Sequence, residues 1–351
     1  MSDSQYVRAQ AYLHHAYLLG LQLIISANKE PELIEKWAFR LFRRQHEQKF
    51  LSSFEKLGLN DLSDAVACAQ YHVMSNAIGG VAVEYMYESE QKAWVRFRYP
   101  RWLYEGPTIC GVPNEICRGF LKGWYAYNGI SLNNPRLGFV CVSEDMTGEI
   151  GFCGYFKEYQ HDLKEDQRLV FARDEMPPPY HENEQPVPPS NLWDDERLEK
   201  ANRNYAIQFI CNSLVELSEV FGKEEAQRLG SRAARLIGLQ YFQETRKMIG
   251  TDDGDLNSAV EYLTGMFKGM GDVLEIASRE DGRRVKLIHS APRIVRGLEG
   301  DHRDLVLSCW QELWKGALSS FRVLKGLEWE RRDDGIHWFV SELKKRERLG
   351  N

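Results

Sequence analysis

At 351 residues, 43% apolar and 27% charged, the chain is long enough for two domains with cores of their own and has an ordinary globular composition. Its net charge of −6 excludes a dedicated nucleic-acid binder, which needs a basic surplus against a phosphate backbone. The longest apolar run near the start, LLGLQLII, is broken by Gln22 and too short to span a bilayer; with no secretory signal, the seven cysteines are expected reduced in a cytoplasm.

In chain order, apolar residues at helical spacing predict a helix over Tyr6–Ile25. Pro31 opens a second through Phe54, and Asp61 can cap a third through Ser75, stopped by Gly79-Gly80. Alternating segments then predict strands at Val81–Tyr87, Ala93–Tyr99, Arg136–Ser143 and Glu149–Phe156, with an apolar helix around Lys122-Gly123 between the two hairpins. Six of the twelve prolines fall between Pro177 and Pro189, a composition that favours extended polyproline II and reads as a linker over 173–198. Beyond it the order returns: helices over Asn202–Phe221, Glu224–Met248 and Asp255–Phe267, then strands at Val273–Ser278, Arg283–His289, Leu324–Arg331 and Ile336–Val340.

That return is a repeat. Both halves carry an acidic turn between alternating runs, then a Pro-Arg dipeptide (Pro100-Arg101, Pro292-Arg293), then a Lys-Gly pair in an apolar helix (Lys122-Gly123, Lys315-Gly316). The expected fold is α+β: two tandem lobes, 1–172 and 199–351. Each has three helices and a four-stranded, mostly antiparallel sheet with a crossing helix, and the two pack as a pseudo-dimer.

Cys141 and Cys153 are absent from the second copy, so chemistry is sought in the first. Cys110, Cys117, Cys141 and Cys153 form the main cluster. Cys141 and Cys153 stand symmetrically about a turn near Thr147, as cross-strand neighbours on one face, and Cys117 lies at the entrance of the crossing helix. Three thiolates with Glu144 or Glu115 would suit zinc, with ligands Cys117, Cys141 and Cys153; buried core cysteines are the competing reading, and a nucleophile is a third. His72 lies one turn from Cys68 and Ser75 on the third helix, either a satisfied core histidine or an acid/base group. His46-Glu47 shares a face with Arg43, without the HExxH spacing of a metal site. His289 has apolar face-mates and points inward. Trp94, Tyr99, Trp102, Tyr104, Trp124, Tyr125 and Tyr127 interleave with Arg96, Arg98 and Arg101, as a pocket wall for a flat molecule with a carboxylate or as half core, half outer strand face. No phosphate loop, dinucleotide fingerprint or nucleophile elbow occurs, so no nucleotide cofactor is expected.

Tyr99-Pro100, Cys117, Gly119–Tyr127, Asn134-Pro135-Arg136-Leu137 leading to Cys141, and Cys153-Gly154-Tyr155-Phe156 together resemble the bacterial L-2-amino-thiazoline-4-carboxylic acid hydrolase-like family. The same stretch looks like the related small-molecule-binding domain of the 4-vinyl reductase type. There, cysteines at the helix entrance and on the last hairpin bind zinc beside a ligand pocket. The chain has Tyr99 where the first pattern has cysteine, and Gly138 where the second has glutamate.

The resemblance implies a hydrolase acting on a carbon–nitrogen bond of a small heterocyclic or amide substrate bearing a carboxylate. Cys117, His72 and Glu144 would be its catalytic candidates, and Arg98, Arg101, Trp102, Trp124 and Tyr127 its substrate-binding ones. A non-catalytic binding or carrier module is the alternative. Expected partners are a small molecule, no nucleic acid and no membrane, with the chain a monomeric pseudo-dimer or a homodimer.

Overall fold

The computed structural model describes residues 4–99, 101, 111–145, 150–191, 193–280 and 282–343. It is mixed α+β, as expected, and divides into two compact units: Ile25–Ala201, and Met1–Ile24 together with Asn202–Asn351. Among the described residues no helix is long and apolar enough to cross a membrane.

The first unit contains α2 (Pro31–Phe54), α3 (Asp64–Ile78), β1 (Val83–Ser89), β2 (Lys92–Phe97), α4 (Asn114–Gly123), α5 (Asn128–Ser131), β3 (Leu137–Ser143), β4 (Cys153–Glu158) and β5 (Leu169–Phe171), preceded in sequence by α1 (Ser4–Ser26). Its sheet runs β1-β2-β4-β3-β5. The four expected antiparallel strands are present, and the short β5 adds to β3 in parallel. Pro31 sits in the first turn of α2, where its missing N–H costs no hydrogen bond. One sheet face is covered by rings: Phe139 and Phe156 meet Tyr125 at 4.7 and 5.4 Å, and Phe97 meets Phe152 at 4.8 Å. Such pairs bury large apolar area and add a modest geometric term.

On the other face, Met86, Trp94, Val140, Val142, Cys153 and Tyr155 make a second small core, with Ala172 packed against it. The proline-rich stretch continues from Ala172 along this unit and is no free tether. Glu175 accepts from Lys92 and from Tyr155 OH, Gln185 takes both the N–H and the C=O of Tyr85 on edge strand β1, and Trp193 Nε1 donates to Lys56 O. A glutamine side chain thus does for β1 what a neighbouring strand would do.

The second unit contains α6 (Asp195–Phe221) from Asn202 on, α7 (Lys223–Ile249), α8 (Leu256–Gly269), β6 (Leu274–Glu280), β7 (Arg284–His289), α9 (Gly300–Leu318), β8 (Lys325–Arg332) and β9 (Gly335–Glu342), in a sheet of order β6-β7-β9-β8. Asp255 caps α8 by accepting from Ser258 N. Helix α1, expected with the first lobe, falls here instead. Its Tyr17 OH donates to Gly230 O at 2.9 Å, and Trp310 Nε1 donates to His14 Nε2 at 3.1 Å. Leu13, Tyr17, Leu18 and Leu21 are fully buried. Helical periodicity establishes that α1 must be buried, but not against which core.

The repeated Lys-Gly pair has one structural meaning in both units. A methyl group at Gly123 would lie 2.4 Å from Phe39 O on α2, and one at Gly316 would lie 2.1 Å from Arg235 O on α7. Each glycine is where the crossing helix touches the backbone of its neighbour, so no larger residue fits.

Candidate functional site

The end of β3 gathers most of the polar candidates of the first unit. Arg101 Nη1 lies 2.5 Å from Asp145 Oδ2, with both side chains buried, and Tyr99 OH also donates to Asp145. Rings of Phe97, Phe152 and Phe120 surround the Arg101 guanidinium at 4.4, 5.4 and 5.7 Å. Cys117, in the first turns of α4, hydrogen-bonds with the same Asp145 and stands near Cys141. Glu144 is buried between Arg118, whose Nε and Nη2 donate at 2.8 and 3.3 Å, and Arg173. Arg101, Cys117, Cys141 and Glu144 are therefore brought together, each already committed to a partner.

Cys153 is not with them. The hairpin pairs Val140 with Tyr155 and Cys141 with Gly154, and a bulge then sets Ser143 against Cys153. Partners share a face and neighbours alternate, so Cys141 and Cys153 point to opposite faces of the sheet. Cys153 packs with Trp94 and Val142, whereas Cys141 lies on the side of α4. The expected convergence of three thiols is corrected accordingly. Thr147, at the expected turn, and Cys110 lie outside the described residues.

The three thiols expected to hold zinc do not converge on one face. Among the described residues no group of three or more His, Cys, Asp or Glu side chains is placed to hold a metal ion. Burial, with Asp145 adding to it, pushes the Cys117 thiol well up; burial and Glu144 do the same to Cys141, and burial takes Cys153 up to about 12. Protonated thiols are poor nucleophiles.

His72 is held elsewhere. Its ring stacks on Tyr125 at 3.8 Å and on Phe156 at 5.4 Å, and its Nε2 accepts from Asn128 Nδ2 at 2.8 Å. Asn128 Oδ1 in turn accepts from His46 Nε2 at 3.1 Å, and His46 Nδ1 accepts from Arg43 Nη1 at 2.9 Å. Burial holds His72 well below the ordinary imidazole value; burial, then Arg43, takes His46 down to about 3. Two neutral rings tied by one carboxamide form a structural bridge between α2, α3 and α5, and the core reading of His72 is the one its surroundings support.

The substrate-binding candidates scatter. Arg98 is exposed, 3.6 Å from Glu84, and Trp124 is buried at 5.9 Å edge-on to His46. Trp102 lies outside the described residues. Tyr127, by contrast, lines an open cleft of about 630 Å³ with Phe39, Lys122, Lys164, Arg168 and Phe171. Tyr127 OH donates to Glu165 at 2.9 Å, Phe39 stands 6.4 Å away, and the guanidinia of Arg43 and Arg168 lie 4.0 and 5.8 Å from its ring centre.

The cations of this cleft differ in their partners. Lys122 is paired with Glu35. Arg168 and Lys164 have no carboxylate within ion-pair distance among the described residues, and Arg168 Nε is buried without a hydrogen-bond acceptor. A second cleft of about 750 Å³ has its cations largely neutralised, Lys92 by Glu88 and Glu175 and Arg136 by Glu158. Arg168, Lys164 and Phe39 were missed from sequence because they carry no motif; Arg168 stands alone before a three-residue strand. No protein-family model matches the chain, and no characterised protein is significantly similar to it.

Proposed function

We propose that the first unit is a small-molecule-binding module whose cleft beside Tyr127 takes a flat molecule bearing a carboxylate. The observation that carries this reading is Arg168, an unpaired guanidinium with a buried, acceptor-less Nε beside two aromatic rings. A desolvated donor is costly until an acceptor arrives, and an anion supplies one as a charge-assisted pair. Phe39 and Tyr127 give a planar group apolar walls, and Lys164 adds a second positive charge at the rim. The cleft volume suits a ligand of small-molecule size. Binding without turnover accords with thiols held protonated, and with the resemblance to domains of the 4-vinyl reductase type.

One observation favours the alternative, a hydrolase of a carbon–nitrogen bond. Asp145 stands among Tyr99, Arg101 and Cys117, a carboxylate, a phenol and a thiol within reach of each other. Titration of the full chain with benzoate and other aromatic carboxylates, with product analysis of carboxylate-bearing amides, separates the two. Binding should weaken about ten- to a hundredfold in Arg168→Ala, the worth of one charge-assisted hydrogen bond. Undiminished binding in that variant rejects the cleft, and amide turnover by the unaltered chain establishes the hydrolase instead.

A further inference from the structure

The Pro-Arg dipeptide occurs in both copies, and its two arginines meet different electrostatic surroundings. Arg101 pairs with the buried carboxylate of Asp145 at 2.5 Å. Arg293 has Asp272 for its carboxylate, 3.6 Å from its Nε, but Asp272 is shared. Its oxygens also accept from Arg293 N at 3.2 Å and lie 3.1 Å from Nε2 of the buried His289.

A second guanidinium, Arg203 on α6, interacts with the same carboxylate, and exposed Arg296, just after Val295, interacts in turn with Arg203. Neither has a carboxylate within ion-pair distance among the described residues. Arg203 Nε is buried and has no acceptor. Gly271 marks where the charges converge: a methyl group there would lie 3.0 Å from both Arg203 Nη1 and Arg293 Nε. Its left-handed φ of 75° and missing side chain leave the backbone bare between the two guanidinia.

We propose that Arg203, Arg293 and Arg296 form an oxyanion site in the second unit that takes a phosphate group. Three guanidinium charges against one carboxylate leave an excess of two, and a phosphate monoester carries about −1.5 to −2 at neutral pH. The planar fork of arginine matches phosphate oxygens, and half-buried Arg203 and Arg293 keep the site partly desolvated. Like charges held close with too few counter-charges cost energy that a bound anion removes. Burial lowers the Arg203 pKa from its ordinary value, and Arg293 lowers it further while Asp272 opposes them. The second copy, short of the cysteines of the first, thus keeps a site of different chemistry.

The test is calorimetric titration and thermal unfolding of the full chain with inorganic phosphate, against sodium chloride at matched ionic strength. Phosphate is expected to bind and to raise the melting temperature. Arg203→Gln and Arg296→Gln should each weaken binding at least about tenfold. Arg293→Gln also removes the Nε bond to Gly271 O and can unfold the segment; the Arg203 and Arg296 variants then decide. Stabilisation equal to that from chloride, or an unchanged affinity in Arg203→Gln, overturns the site. Phenyl phosphate separates the two sources of the group: binding as tight as inorganic phosphate with the same Arg203 dependence identifies a monoester, and weaker binding identifies free phosphate.

Discussion

Arg101 and Asp145 form an ion pair at 2.5 Å, their side chains only 2% and 1% exposed. A buried pair of this kind is costly to halve, because the survivor keeps its charge without water or partner. Arg101→Ala and Asp145→Ala should each destabilise the protein by about 3–5 kcal/mol, and the double variant by clearly less than their sum. Urea unfolding of the three variants reads this cycle, and simple additivity would mean the charges do not interact.

Acid should destabilise the protein earlier than its carboxylates alone require. His46 falls to about 3 and His72 also falls in the folded state, both by burial first, while an unfolded histidine titrates near 6.5. In the second unit His14 and His15 fall to about 4, again by burial. For a lowered histidine pKa the unfolded chain binds the extra proton. Stability is therefore full above pH about 6.5 and declines as pH falls toward the folded value, by about 1.4 kcal/mol per pH unit for each histidine. Unfolding free energies between pH 7 and 5 should show this slope, and His72→Gln should flatten it. A flat profile over that range contradicts neutral burial.

The hairpin shows what was and was not legible in the sequence. Alternation and turn residues located β3 and β4 to within a few residues, because those signals are local. Register is not local: pairing Cys141 with Gly154 instead of Cys153 is a shift of one residue, and one residue exchanges the faces. The same holds for α1, whose apolar pattern is plain and whose docking surface is more than two hundred residues away in Gly230 and Trp310. β5 and the attachment of Gln185 to Tyr85 were invisible, since a three-residue strand and a glutamine on a strand edge carry no pattern. The Lys-Gly pair was legible as a repeat, and only the helix contacts give its reason.

Gly123→Ala and Gly316→Ala test that reason. Each added methyl would meet a backbone oxygen at 2.4 or 2.1 Å, so helices α2 and α4, or α7 and α9, must separate. Alanine is the better helix former by up to about 1 kcal/mol, yet both variants should lose about 1–3 kcal/mol to overpacking. Thermal unfolding that shows stabilisation would place the close approach elsewhere.

The cysteines distinguish burial from chemistry most directly. With the protein native, an alkylating reagent should label half-buried Cys211 well before Cys68, Cys117, Cys141, Cys153 or Cys309, all five buried and pushed up in pKa by burial first. Serine substitutions should then divide Cys141 from Cys153. Cys141 Sγ already donates to Ser143 O at 3.4 Å, so a hydroxyl there inherits an acceptor. Cys153 sits among Met86, Trp94 and Val142 with a backbone hydrogen bond to Gly154, and burying a hydroxyl among those apolar side chains costs about 1–3 kcal/mol. Cys153→Ser should therefore be the more destabilised of the two in urea unfolding, with neither variant releasing zinc. Equal loss of stability in both, accompanied by release of a metal, would instead require the two thiols to share one ligand set, which their opposite faces do not permit.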